Sequence, residues 1–64
     1  MKNSTRVRLI SDACGDTPKS LIGRYGNIIS RNKQHDESGF KAYNVLFDGY
    51  ANTKVQWRDE LRAV

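Results

Sequence analysis

Hydrophobic residues alternate with polar residues along several short stretches of the chain. In the stretch RVRLI, Val7 and Leu9 fall on one face of an extended backbone. Arg6 and Arg8 fall on the opposite face, which is the pattern of a strand buried on one side only. The alternation predicts a first β-strand over residues 5–10.

Two further stretches predict strands on either side of a polar loop. The β-branched run Asn27–Arg31 predicts a short second strand, and the polar residues 32–39 have no periodicity, which is typical of a mobile, solvated loop. Residues 40–47 alternate again and predict a third strand, followed by the tight-turn signal Asp48-Gly49. The predicted core face of that strand carries Tyr43, Val45 and Phe47.

The end of the chain predicts two more strands. Residues 53–57 alternate, and we expect Val55 and Trp57 to point inward, with Lys54, Gln56 and Arg58 outward. Asp59-Glu60 then predicts a solvated bend. Residues 61–64 predict a fifth strand that pairs with the first. The alternative is a short terminal helix, because residues 58–63 are good helix formers.

A long irregular segment separates the first two predicted strands. Residues 11–20 are turn formers, and Thr17-Pro18 predicts the cap of a single helical turn through Leu21 and Ile22. In LIGRYGNIIS, Gly23 and Gly26 suggest a phosphate-binding loop, but such loops lead into a helix. A β-branched run follows here instead, so we expect the glycines to bend the chain into the second strand.

Length and composition restrict the functional classes. A chain of 64 residues predicts one domain, residues 1–64, with a small core. Its net charge of +4 favours anionic partners. The single Cys14 excludes an internal disulfide, and Cys14 and His35 lie in separate predicted loops, so we expect no catalytic residues, no metal and no cofactor. No apolar stretch is long enough to span a membrane, and we expect a soluble cytoplasmic protein without a membrane partner.

The order RVRLI, LIGRYGNIIS, YNVLFDG and VQWRDELRAV resembles an SH3-like small barrel of the KOW-like kind, over nearly the whole chain. KOW segments are similar in carrying a Gly-x-x-Gly-x-Val pattern into the second strand, matched here by Gly23, Gly26 and Ile28. The resemblance implies an all-β fold, a five-stranded SH3-like small barrel, which the strand pattern also predicts.

A narrower likeness concerns enzymes. The segments VRL and IGR, a Tyr-x-Val strand and a Val-Gln pair are similar to the plasmid-borne type II dihydrofolate reductases, which are tetramers of such a barrel. Val55 and Gln56 match the Val-Gln-Ile-Tyr segment of their central pore, while Trp57 and Arg58 stand where Ile and Tyr would be. This likeness implies an oligomeric barrel enzyme, our third functional hypothesis.

Basic residues interleaved with aromatic residues give the leading hypothesis. Arginine and lysine neutralise phosphates, and tyrosine stacks on unpaired bases. We expect a non-enzymatic binding module whose partner is nucleic acid, either RNA or DNA, or a nucleic-acid-associated protein. The second hypothesis is a protein–protein interaction adaptor, and the oligomeric state is open. An ordinary solvated surface would carry the same residues. The predicted contact residues are Arg24, Tyr25, Arg31, Lys33, Lys54 and Arg58.

Overall fold

The part of the chain that the structure describes, residues 1–11 and 19–64, forms one sheet of five antiparallel strands. In this computed structural model, single 3₁₀ turns lie at Lys19–Leu21, Lys33–His35 and Arg58–Glu60. The all-β class predicted from the sequence is confirmed. The strands are β1 (Arg6–Leu9), β2 (Tyr25–Arg31), β3 (Ala42–Phe47), β4 (Lys54–Trp57) and β5 (Leu61–Ala63).

The five predicted strands are present, with differences at their ends. β2 begins at Tyr25, earlier than predicted. The helical turn expected before it is the 3₁₀ turn Lys19–Leu21, while its predicted cap Thr17-Pro18 and Cys14 lie outside the described residues. The alternative of a terminal helix is wrong, because one 3₁₀ turn leads directly into β5, which pairs with β1.

The sheet is strongly curled. Its strand order, β4-β3-β2-β1-β5, puts β4 and β5 at opposite edges, yet only the turn Arg58–Glu60 separates them in sequence. The edges of a flat five-stranded sheet would lie about 19 Å apart, since neighbouring strands are about 4.8 Å apart. A 3₁₀ turn rises only about 2 Å per residue. The two edges therefore approach each other, although no ladder joins β4 to β5 within residues 1–11 and 19–64, so the sheet is not closed.

The hydrophobic core lies on the concave side of this sheet. The predicted core face of β3 is confirmed, since Tyr43, Val45 and Phe47 are all buried. Leu21 closes one end of the core from the turn before β2. The core cluster consists of Val7, Leu9, Leu21, Ile28, Tyr43, Val45, Phe47 and Leu61.

The predicted faces of β4 are wrong. The register sets Lys54 opposite Val45 and Gln56 opposite Tyr43, so both lie on the inner side of the sheet. Gln56 is fully buried, whereas Val55 and Trp57 are only half-buried. Alternation shows which residues of a strand share a face, but pairing with the neighbouring strand decides which face is inside.

Glu60 also departs from the sequence-based prediction. The bend at Asp59-Glu60 is not fully solvated, because the Glu60 side chain is completely buried. Its Oε1 accepts a hydrogen bond from the Trp57 N–H at 2.8 Å, and its backbone oxygen accepts one from Ile10 at 2.9 Å. Glu60 thus holds the turn between β4 and β5 against the end of β1.

The two positions favour glycine in LIGRYGNIIS for different structural reasons. Gly23 has a φ of 92°, in the left-handed region that favours glycine. Gly26 lies inside β2 with an ordinary backbone, but a β-carbon there would stand 2.7 Å from the carbonyl oxygen of Leu46 and 3.0 Å from the Cα of Phe47. Gly26 therefore permits the close approach of β2 to β3.

We expect Gly26→Ala to lower the free energy of unfolding by about 1–3 kcal/mol, the usual cost of overpacking. In open space the same substitution would stabilise a strand by about 0.5–1 kcal/mol, because alanine loses less backbone entropy on folding. The sign of the change in the free energy of unfolding, measured by urea unfolding, therefore distinguishes overpacking at Gly26 from open space. Ile29→Ala, at a residue 45% exposed on the same strand, serves as the control. A stabilised Gly26→Ala protein would contradict the packing described here.

Candidate functional site

The register of the sheet aligns basic and aromatic side chains on its convex side. Arg8 of β1 lies opposite Tyr25 of β2 and opposite Arg62 of β5. Arg6 lies two residues along β1 on the same face, opposite Asn27. These side chains are exposed or half-buried, because the residues between them on β1 and β2 point into the core.

The loops before β2 and after β3 extend this surface. Arg24 immediately precedes β2, and its guanidinium group lies 5.6 Å from the ring centroid of Tyr50. Arg24 Nη1 also donates to the backbone oxygen of Asp48 at 3.2 Å, which joins the two loops. We call the whole surface the arginine–tyrosine face; it consists of Arg6, Arg8, Arg24, Tyr25, Tyr50 and Arg62.

Tyr25 organises the centre of the arginine–tyrosine face. The guanidinium carbons of Arg6 and Arg8 lie 5.6 and 5.7 Å from its ring centroid, within the range of cation–π attraction. Arg8 Nε also donates to the backbone oxygen of Gly23 at 3.1 Å. These contacts orient two long side chains that would otherwise sample many rotamers.

The charge of this face is only partly compensated. Asp48 forms a bidentate ion pair with Arg6, and this hydrogen bonding lowers the pKa of Asp48 and raises the pKa of Arg6. Within the described ranges, the ion pairs are Arg6–Asp48 and Arg31–Asp36. Arg8, Arg24 and Arg62 therefore give the face a net positive charge in this part of the chain.

An open pocket of about 400 Å³ adjoins Tyr25. Its wall combines the apolar Ile22, which is 45% exposed, with the polar groups of Arg24 and Asp48. The remaining lining residues are Ser20 and Gly23. A flat ring that stacks on an apolar wall and presents polar edges would match this lining.

The six residues predicted as contacts do not form one surface. Arg24 and Tyr25 lie on the arginine–tyrosine face. Arg31 ends β2, about 20 Å from Tyr25 at the usual rise of a strand, and Lys33 follows it in an exposed 3₁₀ turn.

The remaining two predicted contacts belong to β4 and the turn after it. Arg58 lies beyond β4, on the side of Lys33, because its N–H donates to the Lys41 oxygen at 2.7 Å. Lys54 is half-buried on the inner side of β4.

Arg31 has a structural role in the loop that follows it. Its guanidinium donates both Nη groups to Asp36 at 2.5 Å and one of them to the Ala42 oxygen at 2.9 Å. It also lies 5.3 Å from the ring centroid of Tyr43. Asp36 Oδ1 in turn accepts the Ala42 N–H at 2.7 Å, so this pair ties the loop to the start of β3.

The predicted mobile loop at residues 32–39 is exposed but organised. Glu37 and Phe40 exchange two backbone hydrogen bonds, of 2.7 and 3.1 Å, around a two-residue turn. Both turn residues, Ser38 and Gly39, have positive φ, as a tight hairpin turn requires. The turn presents the Phe40 ring, which stacks on Trp57 with 5.1 Å between ring centroids.

Sequence reasoning missed Arg6, Arg8, Arg62 and Tyr50 as members of the face. The alternation of RVRLI does place Arg6 and Arg8 on the solvent side of β1. The alternation does not show the pairing of β1 with β2, which brings these arginines to Tyr25, 17 residues beyond Arg8 in sequence.

The Arg31–Asp36 pair makes acid stability depend on Asp36. Hydrogen bonds from Arg31 and from the Ala42 N–H lower the pKa of Asp36 from 3.8 to about 2. Since the folded pKa lies below the unfolded one, the contribution of ionised Asp36 is present above pH 3.8 and is lost as the pH falls through about 2. We expect NMR titration of the Asp36 carboxyl carbon to show a midpoint near 2.

The Arg31→Ala variant provides the comparison for this titration. Its midpoint should move toward 3.8 without reaching it, because the Ala42 N–H still donates to the carboxylate. An Asp36 midpoint at 3.8 in the unaltered protein would contradict the ion pair.

Residues 1–11 and 19–64 contain no group of three or more His, Cys, Asp or Glu side chains that could hold a metal ion. No helix in this part of the chain has the length and apolar character needed to cross a membrane. No family model matches the sequence, and no curated protein and no solved structure matches the chain.

Proposed function

We propose that this protein is a non-enzymatic binding module that contacts nucleic acid through the arginine–tyrosine face. The main support is the Tyr25 ring, 41% exposed, with the guanidinium groups of Arg6 and Arg8 held within 6 Å of its centroid. Guanidinium groups neutralise phosphates, and an exposed tyrosine ring stacks on an unpaired base. Both chemistries meet on one continuous surface.

Single-stranded nucleic acid suits this surface better than a duplex. The pocket of about 400 Å³ beside Tyr25 has room for an unpaired base. In a duplex, the bases are stacked on one another and their faces do not reach a side chain. Arg24 lines this pocket, and Arg6 and Arg8 lie at the adjoining Tyr25 ring. Together with Arg62, which pairs with Arg8, they would follow the phosphates of an extended strand.

We also propose that the curled sheet is an SH3-like small barrel of the KOW-like kind. The short connection between its edge strands supports this, since Arg58–Glu60 alone leads from β4 to β5. Gly23, Gly26 and Ile28 occupy the turn and the start of the second strand, as the Gly-x-x-Gly-x-Val resemblance implies. A barrel of this size leaves its convex side free for a ligand.

The central experiment is fluorescence anisotropy with a labelled single-stranded oligonucleotide of about 15 nucleotides. With Arg6 held by Asp48, three arginines remain for phosphates, and log affinity should fall against log salt with a slope of about −2. Arg8→Ala should bring the slope closer to zero by about 0.7. Tyr25→Ala should weaken binding at least about fivefold through lost stacking.

Lys33→Ala is the matched control for Arg8→Ala. Each variant removes one exposed positive charge, but Lys33 lies beyond the far end of β2. Its slope and affinity should stay close to those of the unaltered protein. No binding at low salt, or equal losses in the Arg8 and Lys33 variants, would contradict the proposal.

A second candidate function is a protein–protein adaptor that uses the opposite end of the sheet. Phe40 is 40% exposed and stacks on Trp57, and it borders a pocket of about 260 Å³ that includes Lys41. Exposed aromatic rings beside a pocket are frequent anchors for peptides. Lys33 and Arg58, two of the residues predicted as contacts, lie at this end of the sheet.

The two candidates respond differently to substitution. If a protein partner binds at Phe40, Phe40→Ala should abolish its nuclease-resistant co-purification, and Tyr25→Ala should leave it intact. Loss of at least about tenfold in affinity is typical of an aromatic anchor. Co-purification that is retained in Phe40→Ala, or lost after nuclease treatment, would contradict the adaptor hypothesis.

The pore enzyme has less support. Gln56, which the likeness to type II dihydrofolate reductases would set at a pore, is completely buried on the inner side of β4. Trp57 is held against Phe40. A pore-lining role would require Gln56 to leave the interior, so this enzyme stays our third candidate.

A further inference from the structure

The Arg6–Asp48 ion pair has the geometry of an occupied anion site. Arg6 Nη1 donates to Asp48 Oδ1 at 2.7 Å, and Nη2 donates to Oδ2 at 2.5 Å. Guanidinium groups bind phosphate oxygens with the same two parallel hydrogen bonds. The carboxylate of Asp48 thus occupies a position that a phosphate group also fits.

Arg6 keeps its orientation independently of Asp48. Its Nη1 donates a further hydrogen bond to Asn27 Oδ1 at 2.9 Å, and its guanidinium group lies on the Tyr25 ring. Arg24 approaches the same place from the other side, with Nη1 3.2 Å from the Asp48 backbone oxygen. If the carboxylate turns away, an oriented arginine with a second cation nearby is left exposed.

The Asp48 carboxylate can be displaced at low cost. The side chains of Arg6 and Asp48 are 43% and 51% exposed, and ion pairs this exposed contribute little to stability. A phosphate next to others already bound at Arg8 and Arg24 is present at high effective concentration. An incoming strand can therefore compete with a side chain of the protein itself.

We propose that Arg6 is a phosphodiester-binding site that Asp48 closes in the free protein. This site rests on the proposed function. Arg6 is the fourth phosphate contact of the arginine–tyrosine face, and Asp48 is the residue that limits the affinity of that face. On binding, a backbone phosphate takes both Nη groups of Arg6, and the Asp48 carboxylate turns into solvent.

The Arg31–Asp36 pair offers a matched comparison within the same chain. It has the same two-pronged geometry, with both distances at 2.5 Å. Asp36 is also held by the Ala42 N–H, and the pair lies at the far end of β2. Neutralising Asp36 removes the same charge as neutralising Asp48, at a place the strand does not reach.

The test is Asp48→Asn, which keeps the shape of the side chain. Asn-Gly is at least as good a turn former as Asp-Gly, so the turn after β3 should be retained. With the labelled oligonucleotide of about 15 nucleotides, we expect binding to tighten about three- to tenfold near 0.1 M salt. The salt slope should steepen from about −2 to about −3, because one more phosphate contact is gained without a competing carboxylate.

Variants of Arg6 in the Asp48→Asn protein test whether the gain in affinity depends on this arginine. Adding Arg6→Gln should abolish the gain and return the slope to about −2. Adding Arg6→Lys, which keeps the charge but loses the two-pronged geometry, should retain only part of the gain. Thermal unfolding of each variant checks that the fold is retained.

Several results would overturn the phosphate site while leaving the proposed function standing. The first is that the unaltered protein binds the oligonucleotide and the Asp48→Asn variant binds it with the same affinity. The others are a gain in affinity that survives Arg6→Gln, a full gain with Arg6→Lys, or an equal gain in Asp36→Asn. Failure of both the unaltered and the Asp48→Asn protein to bind at low salt would overturn the proposed function and this site together.

Discussion

The close approach of β2 to β3 at Gly26 sets the register of β2 with both of its neighbours. The residue lies opposite Phe47 on one side and Val7 on the other, where no side chain fits against the Leu46 carbonyl. A shift of one residue would put Asn27 or Tyr25 into this position and turn the core residues of β2 outward. Fixing Gly26 inward therefore also fixes Tyr25 outward, beside Arg8.

The same sheet carries two arginine–aspartate pairs in different surroundings. At one end of β2, Arg31 and Asp36 bind the loop to the backbone of Ala42 and so belong to the architecture. At the other end, Arg6 and Asp48 lie in solvent on a face rich in arginine. The first pair is therefore a structural contact, while the second is the one that we propose a phosphate displaces.

Local patterns predicted the strands, while the site depended on pairing between strands. The alternation in RVRLI and in residues 40–47 carries a complete local signal, and so does the turn at Asp48-Gly49. The face of β4 did not follow from alternation, because either side of an amphipathic strand satisfies the pattern until its neighbour sets the register. The burial of Glu60 has a similar cause, since its hydrogen bonds with Trp57 and Ile10 exist only once three elements meet.

We propose that a single strand of nucleic acid lies across the convex side of β1, β2 and β5. The most direct measurement is an NMR titration of the labelled protein with an unlabelled single-stranded oligonucleotide. We expect the largest chemical-shift changes on Arg8, Tyr25 and Arg62, which adjoin one another only through the sheet register. Changes concentrated on Lys33 and Phe40, or no changes at low salt, would contradict it.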